Sequence, residues 1–435
     1  MRKSFLAIAI LYGVIFVSLT YWQAFADLKT HPANPRYYQM FEEDRGVIYD
    51  RKGLPLATSH SEGETYARSY AEANLSHVVG YFHPRYGMIG LERLYHEDLS
   101  RGRSLITTLD LALQSAATEA LGNRVGAVVA MKPDTGEILA LVSSPAVNGN
   151  LLDANWSDYL GDERSPFLNR VTHGLYPPGS TIKSVVYGAA LAQGITEPSA
   201  LWEDQGSLLL QNRIIHNSGS KAHGRITTDR AFALSSNVVF AQLAISLGDR
   251  LLEEYKSFGL GEIVPFELHN QGGHCPLKIA SDYDAAQLGI GQGELLVTPL
   301  QMALLVATIA NDGVMMKPYV VQEVRGGLRM RQITRPQSIA RVWEALLAQD
   351  IQAAMVLAAQ EGTARSNLDI SLDYGGKTGT AQITQGQDHA WFIGFAPIAR
   401  PEVIVTVLVE HGGTGSQVAV PIGIQVLRAA LTLDE

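Results

Sequence analysis

Beyond Leu105 the strand-forming runs lie at the two ends of the chain and the helix-forming runs lie between them. GAVVAMKPDTGEILALVSSP holds two β-rich segments around Val128-Val129 and Ile138 to Val142. Pro133-Asp134-Thr135-Gly136 supplies turn chemistry between them, which predicts a hairpin. Tyr374 to Gln382, Ala390 to Ala396 and Val403 to Glu410 read as three further strands, and Ile422 to Leu433 as a closing helix. TIKSVVYGAALAQG, RAFALSSNVVFAQLAISLG and TPLQMALLVATIANDG are helical in pattern, each ended by glycine. Thr107-Thr108-Leu109-Asp110 leads into the periodic LALQSAATEAL, with Asp110 as its cap. Five strands split this way, joined by hairpins and flanked by helices, predict one mixed α/β domain around an antiparallel sheet.

The N-terminus has a different texture. Arg2 and Lys3 precede an uncharged apolar stretch from Phe5 to Phe25, the length of a membrane-spanning helix. Positive charge before it places the rest of the chain outside the cytoplasm. Ala24-Phe25-Ala26 also fits a cleaved signal peptide, and both readings export the remainder. The expected organisation is an anchor at 1–26, a short extended pedestal at 27–105 and a catalytic domain at 106–435. Within the pedestal, Val47-Ile48-Tyr49 reads as a short strand and Lys52-Gly53 as a turn.

Composition narrows the function by exclusion. Apolar residues make up 46% of the 435, enough for a large core. A net charge of −9, with no Lys/Arg run, argues against nucleic-acid binding. The single cysteine, Cys275, forms no intrachain disulfide, and no Cys/His group has metal-ligand spacing. No metal or cofactor is expected.

Three short motifs carry chemistry. In Pro177-Pro178-Gly179-Ser180-Thr181-Ile182-Lys183, Ser180 falls at a helix N-terminus, and Lys183 lies on the same helix face. A serine hydroxyl needs a base, and lysine serves only if burial or nearby positive charge lowers its pKa. Alone, the pair is better read as a capping serine and a solvated lysine. Ser235-Ser236-Asn237 sits in an apolar stretch. Ser235 could relay a proton and Asn237 could hold Lys183 and a substrate amide, or the three could cap a turn between helices. Lys377-Thr378-Gly379-Thr380 lies on a strand after Gly375-Gly376. Lys377 and Thr378 there could hold a peptide's terminal carboxylate, and Gly379 would let another backbone approach. The N–H groups of Thr380 and Ser180 could form an oxyanion hole. His389, just before Trp391, reads as structural or substrate-facing rather than as a base.

Ser-x-x-Lys, Ser-x-Asn and Lys-Thr-Gly in this order are the signature of penicillin-binding proteins and serine β-lactamases. The chain resembles class B penicillin-binding proteins, the monofunctional D,D-transpeptidases, over nearly its whole length, and most resembles their compact A type. Arg45-Gly46 through Asp50-Arg51 and Gly53 is similar to the family's pedestal signature, and Gly90-Leu91-Glu92 with Tyr95 and Leu99 to a second segment. Gly289-Ile290-Gly291-Gln292-Gly293, the Thr298 to Ala303 stretch and Ala390 to Pro397 match others.

The resemblance implies the penicillin-binding and serine β-lactamase fold. It also implies a Ser180 acyl-enzyme with Lys183 as base, D-Ala leaving through Ser235, and resolution by an amine of a neighbouring peptidoglycan stem peptide. β-Lactams would trap Ser180. A membrane glycosyltransferase of the shape, elongation, division and sporulation family is the implied partner. The short pedestal departs from the large members. The alternatives are a D,D-carboxypeptidase, a β-lactamase, a membrane-bound β-lactam sensor and a non-enzymatic scaffold of the wall-synthesis machinery. A β-lactamase would need a deacylating base, and Glu267-Leu268-His269-Asn270 lacks the expected Glu-x-x-Leu-Asn spacing.

Overall fold

The computed structural model describes residues 2–24, 44–63, 65–326, 330–366, 371–383 and 386–433. The expected end of the anchor at Phe25-Ala26 and the start of the pedestal at 27–43 lie outside the described residues.

The central sheet has five antiparallel strands, in the order Gly375–Ala381, His389–Ala396, Val403–Val409, Gly126–Met131, Ile138–Ser144. The two ends of the domain therefore meet side by side, with Thr406 opposite Val129. The hairpin at 126–144 closes through Lys132 and Glu137, and Gly136 takes a positive φ of 83° in its turn. The three central strands are buried at every position. Such strands read as continuous apolar runs rather than as alternation.

Helices pack against the sheet on both faces, among them Leu111–Leu121, Pro299–Ala310, Ala345–Glu361 and Gly415–Thr432. All residues of Pro299–Ala310 are buried. Each fully buried Leu or Ile in it contributes ~1.5–3 kcal/mol of transfer free energy. Thr298 and Gln301 form a reciprocal capping box at its start. Asp110 caps Leu111–Leu121 by accepting from the Ala112 and Leu113 N–H groups.

Two helix boundaries differ from the sequence reading. The closing helix begins at Gly415 rather than at Ile422, with Pro421 inside it. Proline cannot donate to the carbonyl four residues back. Packing outweighs that loss: Gly423 seats the helix so closely on the sheet that a Cβ would lie 2.3 Å from the Phe392 ring. The helical pattern at 230–248 is split into Thr228–Ala233 and Asn237–Leu247. Ser235, between them, has a φ of +59°. Ser236 caps the second helix through the Val239 N–H.

The region expected as a pedestal contributes to a six-stranded sheet in the order Met330–Ile333, Val321–Gly326, Ser104–Thr107, Ile48–Tyr49, Pro55–Glu62, Thr65–Tyr70. Ile48–Tyr49 runs parallel to Ser104–Thr107 and antiparallel to Pro55–Glu62. Two of the strands come from beyond residue 320, so this sheet joins segments distant in sequence.

Its charged centre is Glu92, fully buried. One carboxylate oxygen is 2.9 Å from Arg45 Nη2 and the other 2.6 Å from Arg68 Nε. Arg45 lies 3.8 Å over the Phe82 ring. Gly46 follows because a Cβ there would fall 1.7 Å from the Arg103 carbonyl oxygen. The Arg45-Gly46 and Gly90-Leu91-Glu92 segments thus meet in one buried ion group.

At the N-terminus Arg2–Ala24 is a helix of 23 residues, with Phe5, Phe16 and Trp22 among its exposed side chains. Its side chains are described at 5, 6 and 8–22. Counting described residues alone, no helix is long and apolar enough to cross a membrane.

Candidate active site

A cleft of about 670 Å³ opens where the edge strand Gly375–Ala381 faces the helical layer. Ser180, Ser235, Asn237, Thr378 and Thr380 all line it. Segments 216–221 and 361–363 form further walls.

Ser180 is half-buried in the 3-10 turn Gly179–Ile182, which runs directly into the helix Lys183–Ala192. The turn is held from two sides. Gly179 donates its N–H to the Gly291 carbonyl at 2.9 Å, and Trp391 Nε1 donates to the Pro177 carbonyl at 3.0 Å. Gly291 has a φ of +75°, and a Cβ on it would lie 2.0 Å from the Gly179 carbonyl oxygen. Gly289 to Gly293 is therefore a buttress that presses on the Ser180 turn.

Lys183 is fully buried beneath the cleft. Its ammonium donates to Asn237 Oδ1 at 2.7 Å, to the Ser235 carbonyl at 2.8 Å and to Ser235 Oγ at 3.3 Å. Its pKa is held well below the usual lysine range, first by burial and then by the charge of Lys377; Asp204 opposes the shift. Lys377 is also fully buried, and donates to Ser235 Oγ at 2.9 Å and to the Thr378 carbonyl at 3.1 Å. Burial pushes its pKa down to about 7. One hydroxyl oxygen thus faces two lysines.

Thr378 Oγ1 is 2.6 Å from Thr363 Oγ1, and Thr380 Oγ1 accepts from the Gly415 N–H. Gly379 is buried, and this chain itself lies close against it. A Cβ there would lie 2.8 Å from the Pro178 carbonyl oxygen and 3.0 Å from Thr181 Cγ2. The close approach comes from this chain's own Ser180 turn.

Two residues not singled out in the sequence hold the site together. Asp204, fully buried, accepts from Asn217 Nδ2, from the Gly206 N–H and from Ser236 Oγ. Asn217 Oδ1 in turn accepts from the N–H groups of Asn237 and Val238. A lone Asp at a strand end and an Asn in a loop carry no pattern that distinguishes them.

The remaining candidates fall elsewhere. His389 Nδ1 accepts from the His411 N–H at 3.1 Å, and its ring meets Tyr176 edge-on. Glu267 is spent on the backbone N–H groups of Val320 and Val321 and does not line the cleft. Cys275 is half-buried, its thiol pushed up by burial. Among the described residues no group of three or more His, Cys, Asp or Glu side chains is placed to hold a metal.

A serine at the head of a helix, a buried lysine one turn on and a second buried lysine on a sheet edge are the arrangement of a serine acyltransferase of the penicillin-binding class. The comparisons agree. Residues 126–428 match the penicillin binding protein transpeptidase domain, and residues 45–125 the penicillin binding protein A dimerisation domain. The chain is 33% identical to the peptidoglycan D,D-transpeptidase PbpA of Mycolicibacterium smegmatis, covering 99% of this chain and 98% of that protein. It is 32% identical to the peptidoglycan D,D-transpeptidase MrdA of Acinetobacter baumannii, over 76% of this chain and 55% of that one. Among solved structures, penicillin-binding protein A of M. tuberculosis as a ceftriaxone acyl-enzyme superposes with a TM-score of 0.85 at 31% identity, covering 90% of this chain and 99% of that one. The chain belongs to the penicillin-binding protein transpeptidase family.

Proposed function

We propose that this penicillin-binding transpeptidase cross-links peptidoglycan through an acyl-enzyme on Ser180. Ser180 Oγ attacks the carbonyl of the D-Ala-D-Ala bond of a stem peptide, and its proton passes to the neutral amine of Lys183. A bond forms between Oγ and the carbonyl carbon, and the bond to the terminal D-Ala nitrogen breaks. That nitrogen takes a proton through Ser235 Oγ. An amine of a neighbouring stem peptide then attacks the ester, a new amide forms, and Ser180 recovers its proton. Lys377 and Thr378 hold the terminal carboxylate, Asn237 holds a substrate amide, and the N–H groups of Ser180 and Thr380 stabilise the oxyanion. Gly379 lets the edge strand lie against the nucleophile turn.

The observation that carries this reading is the shared position of Ser235 Oγ, 3.3 Å from Lys183 Nζ and 2.9 Å from Lys377 Nζ beside the cleft. The edge position of Gly375–Ala381 supports binding of an extended peptide as an added strand. The engagement of Glu267 elsewhere weighs against a β-lactamase that would use it as deacylating base.

The proposal includes the three-part organisation of anchor at 1–26, pedestal at 27–105 and catalytic domain at 106–435. The uncharged stretch behind Arg2 and Lys3 supports single-pass anchoring with the catalytic domain outside the cytoplasmic membrane. A membrane glycosyltransferase would dock on the anchor and pedestal.

The test is intact mass of the full-length protein in detergent, followed for hours after benzylpenicillin is added. A persistent adduct of one drug, absent in Ser180→Ala, is the expected result. A transient adduct with drug consumption would favour a β-lactamase. No adduct on folded protein would favour the scaffold reading.

A further inference from the structure

Among the described residues the Ser235-Ser236-Asn237 turn supplies every acceptor of the Lys183 ammonium, and its own backbone ties include the Ser235 and Ser236 N–H groups on the Phe232 and Ala231 carbonyls. Ser235 adopts a left-handed conformation at φ +59°, unfavourable for a residue with a side chain. Such a conformation persists only when its surroundings fix it. Beside those backbone bonds, a buried carboxylate grips the turn: Asp204, at the end of the strand Leu201–Asp204.

The Asp204 carboxylate is fully buried and its hydrogen-bond donors are neutral. Oδ2 accepts from Ser236 Oγ at 2.7 Å, and Oδ1 from the Gly206 N–H at 2.8 Å. Asn217 Nδ2 reaches both oxygens, at 2.7 and 2.8 Å. With its amide thus oriented, Asn217 presents Oδ1 to the N–H groups of Asn237 at 2.8 Å and Val238 at 3.1 Å. One carboxylate therefore grips the turn directly at Ser236 and, one residue on, through Asn217.

We propose that Asp204 is a positioning residue for acylation. It holds the Ser235–Asn237 turn through Ser236 and Asn217, and its negative charge acts on the Lys183 amine. This rests on the reading of Ser180 as nucleophile and Lys183 as its base. The groups facing Lys183 from the elements around it are Lys377 on the edge strand, Asp204 on its own strand, Ser235 and Asn237 on the turn, and the Phe240 ring at 5.5 Å. The two charges among them act in opposite senses: Lys377 lowers the lysine's pKa and Asp204 raises it.

The sign follows. Asp204→Asn removes the charge that favours protonated Lys183, so the free amine persists to lower pH. The replacement amide also has one acceptor oxygen where the carboxylate has two, so either Ser236 Oγ or the Gly206 N–H loses its acceptor. A residue that merely filled space would lower the rate without moving the pH profile.

The experiment measures the second-order rate constant for acylation by a fluorescent penicillin from pH 5 to 9. It uses the full-length wild type, Asp204→Asn and Ser236→Ala, with a thermal melt of each. Asp204→Asn is expected to lower the plateau about tenfold or more and to move the acid limb to lower pH. Ser236→Ala keeps both charges; it is expected to lower the plateau and leave the limb in place. An unchanged plateau, or an unmoved acid limb, in folded Asp204→Asn overturns the proposal. If Asp204→Asn fails to fold, an unchanged rate in Ser236→Ala overturns it and a reduced rate with an unmoved limb supports it. Failure of the wild type to acylate at all overturns the underlying reading of Ser180, and this proposal with it.

Discussion

Lys183 and Lys377 are joined through a single atom: Ser235 Oγ lies 3.3 Å from one ammonium and 2.9 Å from the other. Two buried cations beside one hydroxyl disfavour double protonation, because each is desolvated and Lys377 adds repulsion to Lys183. The roles proposed for them need opposite states. A base must be neutral, whereas a group that receives a carboxylate must be charged. The pair can meet both demands at once if it shares one proton fewer than two free lysines would carry.

The acylation rate should therefore be bell-shaped in pH. Below the Lys183 titration the base is protonated and the rate falls. Above about 7, where Lys377 loses its proton, the carboxylate-binding charge is lost and the rate falls again. The two limbs belong to the pair rather than to either residue. The second-order constant for penicillin acylation, measured on free enzyme, checks this. A flat profile from pH 6 to 10 would contradict it.

Replacing Lys183 by methionine keeps the buried stem and removes the amine. General-base catalysis is worth ~10²–10⁴-fold, and acylation should fall by that order. Methionine fits the buried stem but leaves Asn237 Oδ1 and the Ser235 carbonyl without their donor, so the melting temperature should fall modestly. Stopped-flow acylation beside a thermal melt separates the two effects. A normal acylation rate in this variant would remove Lys183 from the mechanism.

At Ser235 the hydroxyl can be separated from the backbone. The φ of +59° suits glycine, so Ser235→Gly should relieve strain while deleting the shared oxygen. We expect stability equal to or slightly above wild type and acylation slower by about 10²-fold. Ser235→Ala should lose the same rate without the gain in stability. A rate near wild type in both would mean that the oxygen is not on the proton path.

The five strands, their hairpins and the three motifs are legible in the sequence because each obeys a local rule: buried strands are continuous apolar runs, and the hairpin turn carries Pro-Asp-Thr-Gly. What escapes is non-local. Nothing near Pro421 reveals that Gly423 will seat against Phe392 and carry the helix back to Gly415. Strands Val321–Gly326 and Met330–Ile333 cross into the pedestal sheet, which no local pattern announces. Asp204 and Asn217 are ordinary residues until folding brings them under the Ser235 turn. Gly379 is visible as a glycine, but its neighbour, the Pro178 carbonyl, lies some 200 positions away in the chain.

That contact can be tested. Gly379→Ala places a methyl group 2.8 Å from the Pro178 carbonyl oxygen and 3.0 Å from Thr181 Cγ2 and Trp391 Cβ. The backbone carbonyl cannot rotate away, so the edge strand and the Ser180 turn must part. A shift of about 1 Å there should cost roughly 10²-fold in acylation. Trp391 Nε1 holds Pro177 from the same side, and its fluorescence should report the displacement. Wild-type acylation by this variant would show that the strand and turn tolerate separation.

The pedestal makes the last prediction, on stability rather than chemistry. Among the described residues Glu92 is the one carboxylate paired with both Arg45 and Arg68, and all three side chains are at most 2% exposed. Desolvating three ions is costly, and the assembly is tolerable only because the charges alternate and share hydrogen bonds. Glu92→Ala leaves two guanidinium groups buried together without their counter-charge. Removing one partner of such a group costs ~3–5 kcal/mol, a large part of a domain's net stability. Glu92→Gln retains the shape and one acceptor but not the charge, so it should fall between wild type and alanine. Because the strands Val321–Gly326 and Met330–Ile333 tie the same sheet to the chain beyond residue 320, the loss should appear as an earlier transition of the whole described fold rather than of the pedestal alone. Calorimetry of the full-length protein, with and without bound penicillin, distinguishes these. A separate early transition, leaving a penicillin-stabilised remainder, would show that the pedestal melts independently despite the shared sheet.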